Sequence, residues 1–339
     1  MLKNKSFSFI NIIGLATGTL CCLFILLYVE DQYSYDKHEN NAADIYRITA
    51  SLSTSGDKHT IANCSPPIAP AIKRDFPEVL QFTRVVTDFN AGKHLLRYKE
   101  KLIYEDKPVY VDSTFFDVFT YHFTNGNAKE VLSEPYSLVL LKTTAEKLFG
   151  SEDPVGKVIG IDDNNGKHDY KVTGVVDESL GKSHLHANMF ITMNSGGMGE
   201  FIRQNDSWAG NNFAFSYIKL HPHADAAVLE KKLPSFLNKY GGQQLKDAGM
   251  EKILHLQPLG SIHTTTGYEK DLSKSVDPSF LYILLLIAIL IQVIACINFM
   301  NLSTARASKR AKEVGVRKVI GAERSDLMKQ FMGESFLLS

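Results

Sequence analysis

The sequence lacks net charge: 37 Lys and Arg stand against 37 Asp and Glu in 339 residues. No basic excess is present to bind nucleic acid, and no acidic excess to keep the chain disordered. Cysteine is scarce, with four in all, and Trp occurs once. Cys21, Cys22 and Cys296 fall within apolar runs, which leaves Cys64 alone in the polar middle of the chain and without an intramolecular disulfide partner there. That middle part must be held by its core. No repeat of about 20 to 50 residues is visible.

The zero charge hides a partition. Residues 1–29 carry 2 basic and 0 acidic groups, 30–279 carry 27 and 33, and 280–339 carry 8 and 4, giving +2, −6 and +4. The boundaries are two apolar runs. Phe7 to Val29 is 23 residues without a charge, about 34 Å of helix against a hydrocarbon core of about 30 Å. A cleaved signal peptide would have an apolar region of about 7 to 15 residues and a small-x-small site, and the run fits neither condition. A second run covers 280–302, preceded by Pro278. Arg306, Lys309, Arg310, Lys312, Arg317 and Lys318 follow it, whereas Glu30, Asp31, Asp36 and Glu39 follow the first. Lys and Arg at the ends of spans stay cytoplasmic, so both termini are expected inside and 30–279 outside. The expected order is a cytoplasmic N-terminus at 1–6, a first span at 7–29, an external domain at 30–279, a second span at 280–302, and a cytoplasmic segment at 303–335. Residues 336–339 read as the start of a third span, which predicts that the sequence is a piece of a longer protein.

The external domain reads as α+β between two transmembrane helices. Val, Ile, Thr and aromatic runs predict strands at 44–49, 82–86, 107–111, 137–141, 170–176, 189–192 and 213–220. Apolar residues spaced by three and four predict helices at 67–75, 143–149 and 226–240. The strand-rich stretch 130–220 is expected to be an inserted subdomain.

Candidate chemical constellations are weak. Gly150 to Lys157 has five residues between its glycines where a phosphate-binding loop has four, and Val158 stands where Ser or Thr would hold magnesium. It reads as a turn after a helix. His184 and His186, or His221 and His223, supply two metal ligands where a zinc site needs three or four. Asp162, Asp163, Asn164 and Gly166 suggest a calcium loop, but Val172 replaces the bidentate Glu. No catalytic, cofactor or metal residue is assigned. The membrane segments say more: Gly14 and Gly18 clear one stripe of the first span for a close helix neighbour, and Gln292, Asn298 and Asn301 place amides where hydrocarbon penalises unpaired polar groups. Those amides call for helix partners.

The segment Asn298 to Arg306 (NFMNLSTAR), then Lys312 to Lys318 (KEVGVRK), then Gly321-Ala322 resembles the stretch after the second span in MacB/FtsX-type permeases of ABC transporters, in the version common in Bacteroidetes-like bacteria. Other segments agree in order: Ser6-Phe7 to Gly14-Leu15, Phe115 to Phe119 (FFDVF), Leu148-Phe149-Gly150, Asp153 to Lys157, Val172 to Val176 and Ser183-His184-Leu185. The resemblance implies that 303–335 is a coupling region docking on a cytoplasmic ATPase, with Arg306, Glu313, Gly315, Arg317, Lys318, Gly321 and Ala322 as its contact residues. It implies no cofactor on this chain, with ATP and Mg on the partner ATPase, and no enzyme activity of its own. Implied partners are that ATPase, a second permease copy or half, membrane lipids, and a periplasmic adaptor with an outer-membrane duct; nucleic acid is not among them. The expected place is a bacterial inner membrane. The expected function is to pass ATP-driven motion to the external domain for efflux, export or lipoprotein release. The alternatives are a two-span ligand-binding receptor and an FtsX-like regulator of cell-wall hydrolases without transport. A basic juxtamembrane cluster that only binds anionic lipid is the simpler account of the charges.

Overall fold

Two units emerge in the computed structural model, which describes residues 5–54, 56–87, 94–163, 166–177 and 180–320. One is a helix pair built from residues up to 31 and from 279 onward, the other a domain of residues 32–278. The chain enters through α1 (Lys5–Tyr33). The domain then runs β1 (Ile45–Thr54), β2 (Asp57–Ile61), α2 (Ile68–Asp75), β3 (Val79–Thr87), β4 (His94–Tyr98), β5 (Lys101–Glu105), β6 (Pro108–Val111), α3 (Phe115–Val118) and β7 (His122–Asn125). It continues with β8 (Ser137–Leu141), α4 (Lys142–Phe149), β9 (Val158–Asp163), β10 (Gly166–Asp177), β11 (Met189–Thr192), α5 (Met198–Gln204), β12 (Phe215–Leu220), α6 (Ala226–Glu230), α7 (Leu233–Asp247) and β13 (Met250–Pro258). Last comes α8 (Pro278–Val319).

In the helix unit, Ile12–Tyr33 of α1 (22 residues) and Pro278–Asn301 of α8 (24 residues) are long and apolar enough to cross a membrane. Their large side chains face outward: Phe24 is 64% and Ile294 65% exposed, a surface suited to lipid and costly in water. The charged segment expected after the second span continues the same helix. α8 has 42 residues, about 63 Å at about 1.5 Å per residue, so Arg306, Glu313, Gly315, Arg317 and Lys318 all belong to one uninterrupted helix. Gly321, Ala322 and the expected start of a third span lie outside the described residues.

In the domain, the strands form one sheet in the order β13-β1-β12-β3-β6-β11-β8-β10-β9-β4-β5, with β2 on β1 and β7 on β10. Its first half is backed by α2 and α7, whose Ile68, Ile72, Leu233, Phe236 and Leu237 pack with Ile48, Ala50, Ile218, Leu254 and Leu256. The second half is backed by α4 and α5, with Leu148, Phe149 and Ile202 in one cluster with Leu138, Ile159, Ile161 and Met189. A third cluster joins Phe115, Phe119, Phe190 and Tyr217 to Val85, Val111 and Ile262. From the stretch 130–220, β8 to β11 lie in the second half together with β4 and β5, while β12 pairs with β1 and β3.

The helix expected at 226–240 is two helices. Pro234 sits in the first turn of α7, where its missing N–H is harmless; inside a single helix it would break a hydrogen bond. β13 was concealed by Lys252, which occupies an inward position in register with Leu254 and Leu256.

Phe115 of the one-turn helix α3 is fully buried and packs 5.0 to 5.7 Å, ring centre to ring centre, from Phe116, Phe119, Tyr121 and Phe190. Phe115→Ala is expected to cost about 3 to 5 kcal/mol. Chemical denaturation of the full chain in detergent checks it; a loss below about 1 kcal/mol would show that the cluster does not anchor the sheet.

Candidate functional site

Two segments connect the domain to the helices in sequence: 32–44, which begins in the last turn of α1 and runs on past it, and 259–277, which precedes α8. Both are pinned by buried polar contacts. In the first, Asp36 takes a left-handed backbone conformation, φ 58°, which Asp tolerates better than most residues. Its N–H donates to the Lys182 carbonyl at 2.8 Å. Its Oδ1 accepts three bonds, from Ser183 Oγ (3.0 Å), the His184 backbone N–H (3.1 Å) and His184 Nδ1 (2.9 Å). Burial pushes this carboxyl up, but the attraction of His184 and the bonds from His184 and Ser183 outweigh it and hold Asp36 below its ordinary range. The ionised Asp36 therefore fixes the proton on Nδ1 of His184.

The other ring nitrogen, Nε2, lies 2.8 Å from the Tyr217 hydroxyl on β12. Burial raises the Tyr217 phenol strongly, so it keeps its proton and donates it to Nε2. Next to that phenol is the guanidinium of Arg47 on β1. Arg47 is fully buried and grips Asp271 with two bonds, Nη1 to Oδ1 at 2.6 Å and Nη2 to Oδ2 at 3.0 Å. Nε and Nη2 also donate to Gln257 Oε1 at 3.0 and 2.8 Å. Such a fork holds both position and angle of the carboxylate. A continuous polar chain thus runs from Asp36 through His184, Tyr217 and Arg47 to Asp271.

The two segments also touch directly. Tyr35 stacks on His263 with ring centres 3.6 Å apart and planes 3° from parallel, and His263 Nε2 lies 2.8 Å from Gln32 Oε1. Glu39 adds a contact to the loop after α3, accepting the Thr120 N–H at 2.7 Å. Its side chain is almost fully buried, and burial raises it to about 7 against the pull of the Thr120 bond. Beside it His38 is lowered, chiefly by burial. A cavity of about 340 Å³ opens next to these groups, bounded among others by His38, Thr120, Lys182 and Ser183.

Two other polar clusters are local. Lys252 Nζ donates to Ser65 Oγ, the Trp208 carbonyl and Asn212 Oδ1 at 2.7 to 2.8 Å; it fastens the 208–212 loop to β13, and burial lowers it to about 8. Ser51, His255 and Glu230 form a solvent-facing ladder at 3.1 Å per contact.

Sequence reasoning had set His184 aside as a doubtful metal ligand and missed Asp36, Arg47, Tyr217 and Asp271. The available signals were an Arg embedded in the apolar strand IYRITA and the Ser183-His184-Leu185 match. His186 bounds the same cavity as His38. His223 has φ 68° and stands with His221 in the turn after β12. Gly150 caps α4 and Gly156 donates its N–H to the Val172 carbonyl, as a turn requires. Asp162 pairs with Arg97 and Lys167 on the strand face. Among the described residues, no group of three or more His, Cys, Asp or Glu could hold a metal ion.

In the helix unit, a Cβ added at Gly18 would lie 2.8 Å from Ala295 Cβ, closer than carbon atoms pack, and one at Gly14 would lie 3.5 Å from Asn298 Nδ2. Cys22 Sγ is 3.0 Å from the Ala288 carbonyl. Residues 14, 18 and 22 therefore form the stripe of α1 that faces α8. Gln292 Nε2 reaches Cys296 Sγ one turn on, at 3.6 Å, and Asn301 is exposed. A Cβ at Gly315 would meet nothing within 4 Å, so one face of the helix is open there.

Glu39 generates a pH dependence. Its folded-state carboxyl, near 7, lies above its ordinary 4.5, so its stabilising contribution is complete below about 4.5 and is lost as pH rises through about 7. The swing is at most about 3 kcal/mol. Melting curves of the full chain from pH 4.5 to 8 should show this fall, and Glu39→Gln should flatten it; an unchanged slope in the variant would contradict the assignment. In the helix unit, Gly18→Ala is expected to lower the melting temperature and Ala295→Gly to restore it in the double variant. Additive losses would show that the two positions do not touch.

The chain matches the MacB-like periplasmic core domain over residues 8–236 and the FtsX-like permease C-terminal domain over residues 284–339. Among curated proteins, it is 23% identical over 262 residues to the macrolide export ATP-binding/permease protein MacB of Mannheimia succiniciproducens, covering 76% of this chain and 36% of that protein. It is 26% identical over 252 residues to MacB 2 of Aeromonas hydrophila, covering 72% and 34%. The chain thus spans about a third of the length of these relatives. Among solved structures, a domain of a Porphyromonas gingivalis protein carrying a permease designation superposes with TM-score 0.54 at 18% identity, covering 73% of this chain and 98% of that domain. That likeness is one of fold. With an α/β external domain set between two helices fit to span a membrane, the chain belongs to the MacB/FtsX-type family of ABC transporter permeases.

Proposed function

We propose that this chain is the permease part of an ABC transporter whose ATPase is a separate subunit, and that it converts nucleotide-driven motion on the cytoplasmic side into motion of its periplasmic domain. The observation that carries this is α8. One helix contains both the second span and the basic segment within the FtsX-like match, so a force applied at 303–319 reaches the periplasmic end of the span without crossing a loop. After Pro278 at its start, α8 contains no Pro, so no proline kink divides the span from the basic segment. Arg306, Glu313, Gly315, Arg317 and Lys318, with Gly321 and Ala322 beyond the described residues, form the proposed dock for the ATPase.

In this arrangement both termini are cytoplasmic, the membrane is the inner one, and ATP and Mg are bound by the ATPase alone. A second permease copy or half completes the translocation unit through the outward faces of the spans. A periplasmic adaptor and outer-membrane duct are the remaining proposed partners. The curated relatives are named for macrolide export; for this chain the proposal is the broader class of export or release of a substrate from the periplasmic face.

Coexpression of the full-length gene product with a neighbouring ABC-type ATPase should yield a stable complex on purification. Arg317→Glu and Gly315→Trp, which change charge and bulk on the dock and leave the periplasmic domain untouched, should abolish it. Failure of any ABC-type ATPase to bind the wild-type protein would overturn the proposal.

A further inference from the structure

The buried chain of contacts in the periplasmic domain has a property that fold stability alone does not require. Its two ends are the two connecting segments. Asp36 belongs to the segment leaving α1, and Asp271 belongs to the segment entering α8. The residues between them, His184, Tyr217 and Arg47, come from a loop and two adjacent strands of the sheet. β1 and β12 are paired in register, with Arg47 directly opposite Tyr217, so that step cannot lengthen without breaking the sheet. Each of the other steps is a short bond with fixed direction: Nδ1 to Asp36, Nε2 to the Tyr217 hydroxyl, and a two-bond fork to Asp271.

We propose that the chain Asp36–His184–Tyr217–Arg47–Asp271 is the element that makes the two connecting segments move as one with the sheet, so that a displacement of either span is delivered to the whole periplasmic domain. These are positioning residues, and the proposal rests on the permease reading above.

Three features support it. First, the links are angular as well as close. Apolar contact resists separation but slides, whereas a bidentate Arg–carboxylate pair and a ring bonded at both nitrogens resist rotation too. Second, the chain is sealed. Arg47, His184 and Tyr217 are all fully buried, Asp36 is 2% exposed and only the Asp271 side chain, at 10%, reaches the surface, so from Asp36 to Arg47 water cannot readily substitute for a partner during a stroke. Third, the seat beneath it is rigid. Phe119 packs edge-on to Tyr217 with centres 5.0 Å apart and lies 6.1 Å from the His184 ring, which ties the relay to the aromatic cluster of α3. The stacked pair Tyr35–His263 closes the loop between the segments themselves.

The test uses the full-length protein assembled with its ATPase in nanodiscs. With the exposed Cys21 and Cys296 replaced by Ser, spin labels on a cysteine introduced at exposed Lys101 report the distance between the two copies with and without a trapped nucleotide, while ATP turnover is measured in parallel. Tyr217→Phe removes one hydroxyl and keeps the ring, and Asp36→Asn removes one charge. Both are expected to retain ATP turnover and lose the nucleotide-dependent distance shift. Ser65→Ala, which opens the equally buried Lys252 cluster outside the relay, is expected to keep the shift despite a comparable loss of melting temperature. Tyr217→Phe and Asp36→Asn proteins that still shift like the wild type would overturn the relay and leave the permease reading standing. A loss of shift in Ser65→Ala as well would also overturn it, because general destabilisation would then explain the effect. A wild-type protein that binds no ATPase and shows no shift would overturn both.

Discussion

One oxygen atom, Oδ1 of Asp36, holds the segment that leaves the first span on the periplasmic domain. It accepts three bonds from two consecutive residues, Ser183 and His184, and the residue that carries it pays a backbone strain to be there. Beside that anchor, the segment is also attached by Glu39, by the Tyr35 stack and by Gln32 on His263. At the far end, Arg47 does the same for Asp271. Replacing these ionic contacts by apolar ones of equal volume would not necessarily weaken the fold, because buried ion pairs return little net stability. What they supply is direction, which is what the proposed relay requires.

The helix unit is built on the opposite physical basis. At the contact of α1 with α8, Gly14, Gly18 and Cys22 remove bulk so that backbone can approach Ala288, Ile291 and Ala295. In lipid, where no hydrophobic drive separates helix from solvent, close backbone approach is the main source of cohesion. Such a contact is tight along the stripe.

Much of this was legible in the sequence, for reasons tied to particular residues. The spans were visible because 23 uncharged residues have few other uses, and β8 and β11 because SLVLL and MFIT are apolar runs of strand length bounded by turns. The order of family segments gave the domain its kinship. β1 was legible at 44–49 despite Arg47 in its apolar pattern, whereas β2, β4, β5, β7, β9 and β13 escaped notice; in β13 the reason is Lys252, a charged side chain at an inward position. The relay escaped for a different reason. Its members lie 148 residues apart at the Asp36–His184 contact and 224 at the Arg47–Asp271 contact, and no local spacing rule can pair them. The FFDVF segment, recognisable only as a match, acquires a physical reason in the structure, as the one-turn aromatic seat under His184 and Tyr217.

In the proposed relay, the connecting segments 32–44 and 259–277 behave as parts of the sheet of the periplasmic domain. Hydrogen exchange of the full-length protein with its ATPase, compared between nucleotide-free and nucleotide-trapped states, tests this most directly. The predicted result is a coordinated change in protection in the helices, with residues 32–44 and 259–277 remaining as protected as the sheet strands they join in both states. Independent opening of either segment on nucleotide binding, while the sheet stays closed, would contradict it.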